Sequence, residues 1–203
     1  VSMGLGRMAA EGMAQLWGTF REIRHLKVIM VFLLAYWLYI DGVGTIIVMA
    51  VDYGLSLGFE QKDLILALLM VQFTGFPCAI GFGRLAGYTG TKPAILIALG
   101  VYLFVTLWGA FIESRHEFYI MALLIGMVQG GVQALSRSLY ARIIPADKSA
   151  EFFGFYNVIG KFATIMGPVL VAATVLVARA WGAGPDLAPR ISISSIAVLF
   201  LAG

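Results

Sequence analysis

The chain has 203 residues, of which 61% are hydrophobic and 12% charged, with a net charge of +3. Ordinary soluble domains run at about 45–50% apolar and about 25% charged, so too little polar surface exists here to cover a water-soluble globule. The single cysteine, Cys78, excludes an intrachain disulfide framework and a cysteine-rich metal site, and no basic stripe interleaved with aromatics offers itself to nucleic acid.

Residues 1–26 carry Met13, Leu16, Trp17 and Phe20 at helical spacing with Arg21 and Arg24 close behind. That pattern suits a short amphipathic helix on the inner leaflet. Val28 to Val51 then run almost wholly apolar, long enough to cross a bilayer, with one acid, Asp41, in the middle between hydrophobic turns. A carboxylate at membrane depth is expensive and usually faces a bundle interior or a watery cavity, which makes Asp41 a site candidate. Further uncharged stretches follow at Leu64 to Phe82, Pro93 to Ile112, Phe118 to Ser136 and, broken only by Lys161, Phe152 to Ala178. Each is near the roughly 20 residues that a spanning helix needs. A last run, Ile191 to Gly203, is shorter and reads as the start of a further helix. With no initiator methionine or signal-peptide pattern at its start, the chain is expected to be an interior or C-terminal piece of a longer protein.

Lysine and arginine counts orient the spans. Arg7, Arg21, Arg24, Lys27, Arg84, Lys92, Arg137, Arg142 and Lys148 fall on one side, and Lys62, Arg115, Arg179 and Arg190 on the other. The richer side is cytoplasmic by the positive-inside rule. His25 and His116 fall on opposite sides and cannot share a metal. Neither a GxxxxGK[ST] phosphate loop nor an HExxH zinc motif occurs, and a GxSG serine with a membrane-depth histidine, needed for an intramembrane protease, is missing. No enzyme activity, cofactor or metal is therefore expected.

Polar residues recur at helical spacing within the spans. Gln129, Gln133, Arg137 and Tyr140, with Ser136 beside them, share a narrow sector at 100° per residue; Asn157, Lys161, Thr164 and Pro168 do so in the fifth run, and Asp41, Thr45, Val48 and Asp52 in the first. Three polar lines through hydrocarbon are best satisfied by turning them toward one aqueous or solute-lined space. By helical rise, Asp41 and Lys161 lie at depths of roughly 21 and 15 Å from one face, near enough for the lysine stem to reach the carboxylate, so the two are expected to pair. Gly42 and Gly44 bracket the acid, Gly126 and Gly130 form a GxxxG pair, and Gly167-Pro168 interrupts the fifth run. Small residues permit close packing, and Gly-Pro permits bending near a site.

The stretch Gly83-Arg84-Leu85-Ala86-Gly87-Tyr88-Thr89-Gly90-Thr91-Lys92 resembles a degenerate copy of the major facilitator loop motif GxxxD[RK]xGR[RK]. Gly83, Gly90 and Lys92 are retained, while Gly87 replaces the acid and Tyr88 and Thr91 replace bases. The blocks from Gln129 to Ser138 and from Glu151 to Asn157, with Tyr39 to Val43, resemble the vacuolar effluxer-like branch of that superfamily, which includes fungal autophagy-associated vacuolar amino-acid exporters and bacterial permeases. The resemblance covers residues 20 to 203. It implies an all-α integral membrane fold: the C-terminal six-helix half of a major facilitator, helices 7 to 12 in 3+3 inverted repeats, with helix 12 incomplete. Residues 1–26 would be the end of the central cytoplasmic loop and residues 27–203 the transmembrane domain.

The implied activity is secondary transport of a small polar solute, amino acids among the candidates, by alternating access with an N-terminal six-helix half. The implied setting is multi-pass in a bacterial inner membrane. The site would lie near the midplane between helices 7, 8, 10 and 11, and the pathway residues are expected to be Asp41, Thr45, Gln72, Gln129, Gln133, Arg137, Asn157 and Lys161. The rival class is a non-transporting receptor or assembly subunit built on the same fold, which would need no cavity continuous with both faces.

Overall fold

The structure, a computed structural model, describes residues 5–184 and 187–203, with side chains from residue 12 onward. Arg7, counted above on the cytoplasmic side, therefore has its side chain outside the described residues. In chain order the helices are α1 (Leu5–Ile23), α2 (Lys27–Ser56), α3 (Gln61–Thr89), α4 (Thr91–Gly109), α5 (Arg115–Ile143), a 3₁₀ turn (Ala146–Lys148), α6 (Ser149–Phe162), α7 (Met166–Ala180), α8 (Leu187–Ser195) and α9 (Ala197–Ala202). Among the described residues five spans are long and apolar enough to cross a membrane: α2, α3, α4, α5 and the stretch Ala146–Ala180 that holds α6 and α7. The chain is a multi-pass integral membrane protein of helical fold.

Three boundaries differ from the reading of the sequence, each for a local reason. The fifth apolar run is not one helix: it breaks at Ala163 to Ile165, immediately before Gly167-Pro168. Pro168 has no N–H, so it is tolerated in the first turn of α7 but not in the interior of a continuous helix. The stretch read as a loop motif is mostly helix, because α3 runs on to Thr89 and the connection to α4 is Gly90 alone. Gly90 has φ +92°, a backbone region that side chains disfavour, which is why one residue suffices to turn the chain. The last run starts earlier than Ile191 and is interrupted at Ile196, which separates α8 from α9.

Polar contacts sort the chain into the two ends that the charge count anticipates. At one end Lys148 Nζ donates to both carboxylate oxygens of Glu22 at 2.7 and 2.8 Å, tying α1 to the start of α6. At the other, Tyr119 donates to Asp63 at 2.7 Å, and Arg190 donates to the carbonyls of Ala110 and Ile112 at 2.8 and 3.1 Å. Those carbonyls follow the end of α4, where intrahelical partners run out. Helix α5 opens on a capping box in which Ser114 Oγ accepts from the Glu117 N–H and the Glu117 carboxylate accepts from the Ser114 N–H.

Within the bundle α3 lies on α5 through small residues. A Cβ at Gly126 would stand 2.9 Å from the Val71 carbonyl, and one at Gly130 would stand 2.8 Å from the Gly75 carbonyl and 2.9 Å from Ala79 Cβ. The GxxxG pair thus lets two backbones touch. The rest of α3 turns outward, with Phe73 and Phe76 more than three-quarters exposed, as suits a lipid-facing helix. Helix α1 forms as its spacing predicts: Ile23 is fully buried, Phe20 meets Phe155 of α6, and Met13 and Trp17 remain exposed.

Candidate functional site

The polar lines of two helices and one face of a third converge on an open cleft of about 440 Å³ between α2, α5 and α6. From α5 it receives Gln133 and Arg137, from α6 Asn157, Gly160 and Lys161, and from the following break Thr164. Gln133, Arg137, Asn157 and Lys161 are all exposed in it. Their i, i+4 spacings put each pair on one helix face, and the contact of α6 with α2 brings the two faces together.

Helix α2 presents a different face from the one its polar spacing suggests. Its lining residues are Tyr36, Ile40, Val43, Gly44 and Ile47, one position and so about 100° away from the Asp41 stripe. That stripe does not hold as a unit: Asp41 and Thr45 are each 1% exposed, whereas Val48 and Asp52 point outward. Asp41 sits behind the cleft, and neither of its carboxylate oxygens has a hydrogen-bond partner among the described residues. The start of α7 turns the Gly167 N–H toward it without reaching hydrogen-bond geometry. Thr45 Oγ1 donates to the Asp41 carbonyl at 2.7 Å, and a Cβ on Gly167 would overlap Thr45 Oγ1. Gly167 is therefore the contact point between α2 and α7.

The expected Asp41–Lys161 ion pair is not formed. Lys161 is exposed in the cleft while Asp41 is enclosed by packing of α7 and α9, whose Phe200 ring covers Gly42. Azimuth around α2 separates them, since Asp41 lies one residue away from the lining face of α2. Gln72 is exposed on α3 and is not among the lining residues, none of which comes from α3. Gln129, one turn before Gln133, is half-buried, and its Oε1 has no hydrogen-bond partner among the described residues. Gly44 lines the cleft, and Gly126 and Gly130 serve the α3–α5 contact instead. Of the motif residues, Gly83 meets open space and Lys92 faces an apolar groove shared with Lys27.

The reading of polar residues misses an aromatic wall. Tyr36 and Tyr156 stack with centroids 4.2 Å apart, Tyr140 stacks on Tyr156 at 4.9 Å, and Tyr39 meets Tyr36 edge to face. Ser136 Oγ gives its one proton to the Val132 carbonyl at 2.6 Å, so Tyr39 must be the donor in its 2.7 Å bond to Ser136. Tyr140 donates to the Phe152 carbonyl and so links α5 to α6. Among the described residues the buried Tyr156 hydroxyl has no hydrogen-bond partner. Gly160 makes room for the Tyr36 hydroxyl, which would stand 3.1 Å from a Cβ there. One signal was available: Tyr36 lies four residues before Ile40, and Tyr156 lies four before Gly160, at the helical period.

The family described as vacuole effluxer Atg22-like matches residues 4–176. A Bacillus subtilis protein named as an uncharacterized MFS-type transporter, YxiO, is 44% identical over 156 residues, which are 77% of this chain and 36% of that protein. Autophagy-related protein 22 of Saccharomyces cerevisiae is 26% identical, over 79% of this chain and 33% of its own length. The protein of the same name from Yarrowia lipolytica is 28% identical, over 77% of this chain and 28% of its own. The chain spans about a third of the length of these curated relatives.

Proposed function

The chain belongs to the vacuole effluxer Atg22-like family of transporters, and from that premise we propose that it forms the C-terminal six-helix half of a major facilitator that moves a small polar solute by alternating access. The observation that carries this reading is the cleft: four polar or charged side chains exposed together on one open face of α5 and α6, within stretches long and apolar enough to span a membrane. Lone charges in hydrocarbon are costly, so such a face belongs against water, solute or a partnering half. The N-terminal six helices would close the cleft from the opposite side, and residues 1–26 would end the loop that joins the halves. Six spans arranged as 3+3 inverted repeats follow on this reading, with α8 and α9 as the opening turns of an incomplete last helix. An apolar groove of about 570 Å³ running from Gly203 along α2 and α4 toward Lys27 and Lys92 suits further turns of that helix.

The names of the fungal relatives connect them with autophagy and the family's description names the vacuole, while the bacterial relative favours an inner membrane for this chain. Amino acids are the first solutes to test. Purified full-length protein in proteoliposomes, assayed for uptake and efflux against an amino-acid panel with and without a proton gradient, tests the reading. Flux of at least one solute that Gln133→Ala or Asn157→Ala reduces would support it. Absence of flux for every solute and gradient would favour a receptor or assembly role.

A further inference from the structure

Asp41 is the deep charge that the cleft leaves out, and its enclosure is complete within this chain. Each carboxylate oxygen exposes less than 1 Å². Helix α7 closes on it where Gly167 lies against Thr45, and α9 where the Phe200 ring lies over Gly42. No other part of the protein can reach the carboxylate unless these helices draw apart. Among the described residues neither oxygen has a hydrogen-bond partner. Thr45 Oγ1 gives its one proton to the Asp41 carbonyl, the Gly167 N–H does not reach hydrogen-bond geometry, and Pro168 after it has no N–H.

The helices around it bring no cation either. Helix α9 carries no titratable side chain, and α7 none before Arg179, roughly 18 Å along from Gly167. On α8, Arg190 is bound to the Ala110 and Ile112 carbonyls, and on α4 the only titratable group after Lys92 is Tyr102, stacked on Phe200. Arg137 and Lys161 face the cleft, on another side of α2. On α2 itself Tyr39 donates to Ser136, and Lys27 and Asp52 lie roughly 21 and 16 Å away.

An ionised carboxylate in that setting has lost its water and gained neither donor nor counter-charge, which costs far more than enclosing a neutral carboxyl group. We propose that Asp41 is a proton-binding site, loaded as a carboxylic acid in this state, and that it holds the coupling ion behind α2, apart from the solute cleft. Only the coupling rests on the transport reading; the proton site does not. Loading moves one proton from hydronium to a carboxylate oxygen and leaves water. Release runs the same step backwards, and it needs water to reach oxygens that α7 and α9 now cover. Ile40, Val43 and Gly44 of the same helix line the cleft, so α2 has the proton site on one face and the solute site on the next. Proton and solute do not compete for one pocket, and a shift of α2 is felt at both.

Infrared difference spectroscopy of the full-length protein at neutral pH tests the site. The wild-type spectrum minus that of Asp41→Asn should contain one carbonyl band of a neutral carboxyl group, shifted in heavy water. Asp52→Asn, at an exposed position, should leave that band in place. Asp41→Glu should move it, which identifies the band even if the asparagine variant fails to fold. A difference spectrum with no neutral-carboxyl band, or with the bands of an ionised carboxylate instead, overturns the proton site. Flux in proteoliposomes tests the coupling: a proton gradient should stimulate wild-type solute flux, and Asp41→Asn should lose that stimulation. A variant that responds to the gradient as the wild type does would overturn the coupling. The band without flux of any solute would remove the transport reading and leave the proton site standing, and solute flux without the band would do the reverse.

Discussion

Replacing Gly130 by alanine tests whether the α3–α5 contact holds the half together. The added Cβ would stand 2.8 Å from the Gly75 carbonyl oxygen and 2.9 Å from Ala79 Cβ, and the first of these is backbone that cannot rotate away. An ordinary carbon–oxygen contact is about 3.3 Å or more, so the helices must part by about 0.5 Å. A gap of that size forfeits roughly a quarter to a half of each contact's 0.1–0.2 kcal/mol; over about twenty atom pairs across the crossing this is about 0.5–2 kcal/mol. Strain from overpacking is of similar size, about 1–3 kcal/mol. Opposing these, alanine in a helix gains about 0.5–1 kcal/mol over glycine. Gly83→Ala and Gly154→Ala isolate that gain, since a Cβ at either helical position meets nothing within 4 Å. Unfolding of the full-length protein in SDS–detergent mixtures should therefore rank Gly130→Ala about 1–3 kcal/mol below both controls. Gly126→Ala should behave alike, and the double substitution should cost less than the sum because the first already separates the helices. Equal stability of Gly130→Ala and Gly83→Ala would refute the close approach of α3 and α5.

Gly90→Ala should lower stability by about 1–3 kcal/mol in the same unfolding assay, because φ +92° is retained only at a strain cost in any other residue; an unchanged midpoint would show that the turn relaxes freely. Arg190→Lys should cost about 1 kcal/mol, since an ammonium cannot reproduce the planar two-carbonyl bond to Ala110 and Ile112. Glu22→Gln should cost no more than about 1 kcal/mol, and the difference should vanish in high salt, as the Lys148 pair is more than a third exposed. Asp41→Asn should leave the protein at least as resistant to unfolding, because the amide relieves an enclosed, unpartnered carboxylate. Its effect on flux should add to that of Lys161→Gln; a coupling above about 0.5 kcal/mol in the double-mutant cycle would show that the two side chains meet during transport.

Much of this was legible because hydrocarbon imposes simple rules. Apolar runs located the spans to within a turn or two, and the lysine and arginine count put Lys148 on one side and Arg190 on the other, where contacts tie the first to Glu22 and the second to the end of α4. Gln133, Arg137, Asn157 and Lys161 line one cleft, and each pair repeats at i, i+4 on its own helix. What spacing cannot supply is the azimuth of a whole helix. Asp41 and Thr45 share a face, but only packing against Gly167 and Phe200 decides that the face turns inward, away from the cleft. Gln72 lies outside the cleft because none of the cleft's lining comes from α3, which packs on α5 through small residues. Tyr36 and Tyr156 escaped notice because an aromatic in a membrane span looks like core, and their role as a wall emerges only when α2, α5 and α6 are brought together.

The interruption at Ala163 to Ile165 divides one membrane crossing into parts with separate mechanical duties. Above it, α7 is pinned to α2 where Gly167 meets Thr45, a joint too tight to slide. Below it, α6 carries Asn157 and Lys161 and is gripped from outside by α1 through Glu22 and Phe20. A continuous rod pinned at its upper end would pass any tilt of its lower end into the bundle. With the rod cut, a tilt of α6 is not passed rigidly to the pinned segment; it works instead against the Tyr36–Tyr156 stack and the Tyr140–Phe152 bond that hold α6 to α2 and α5.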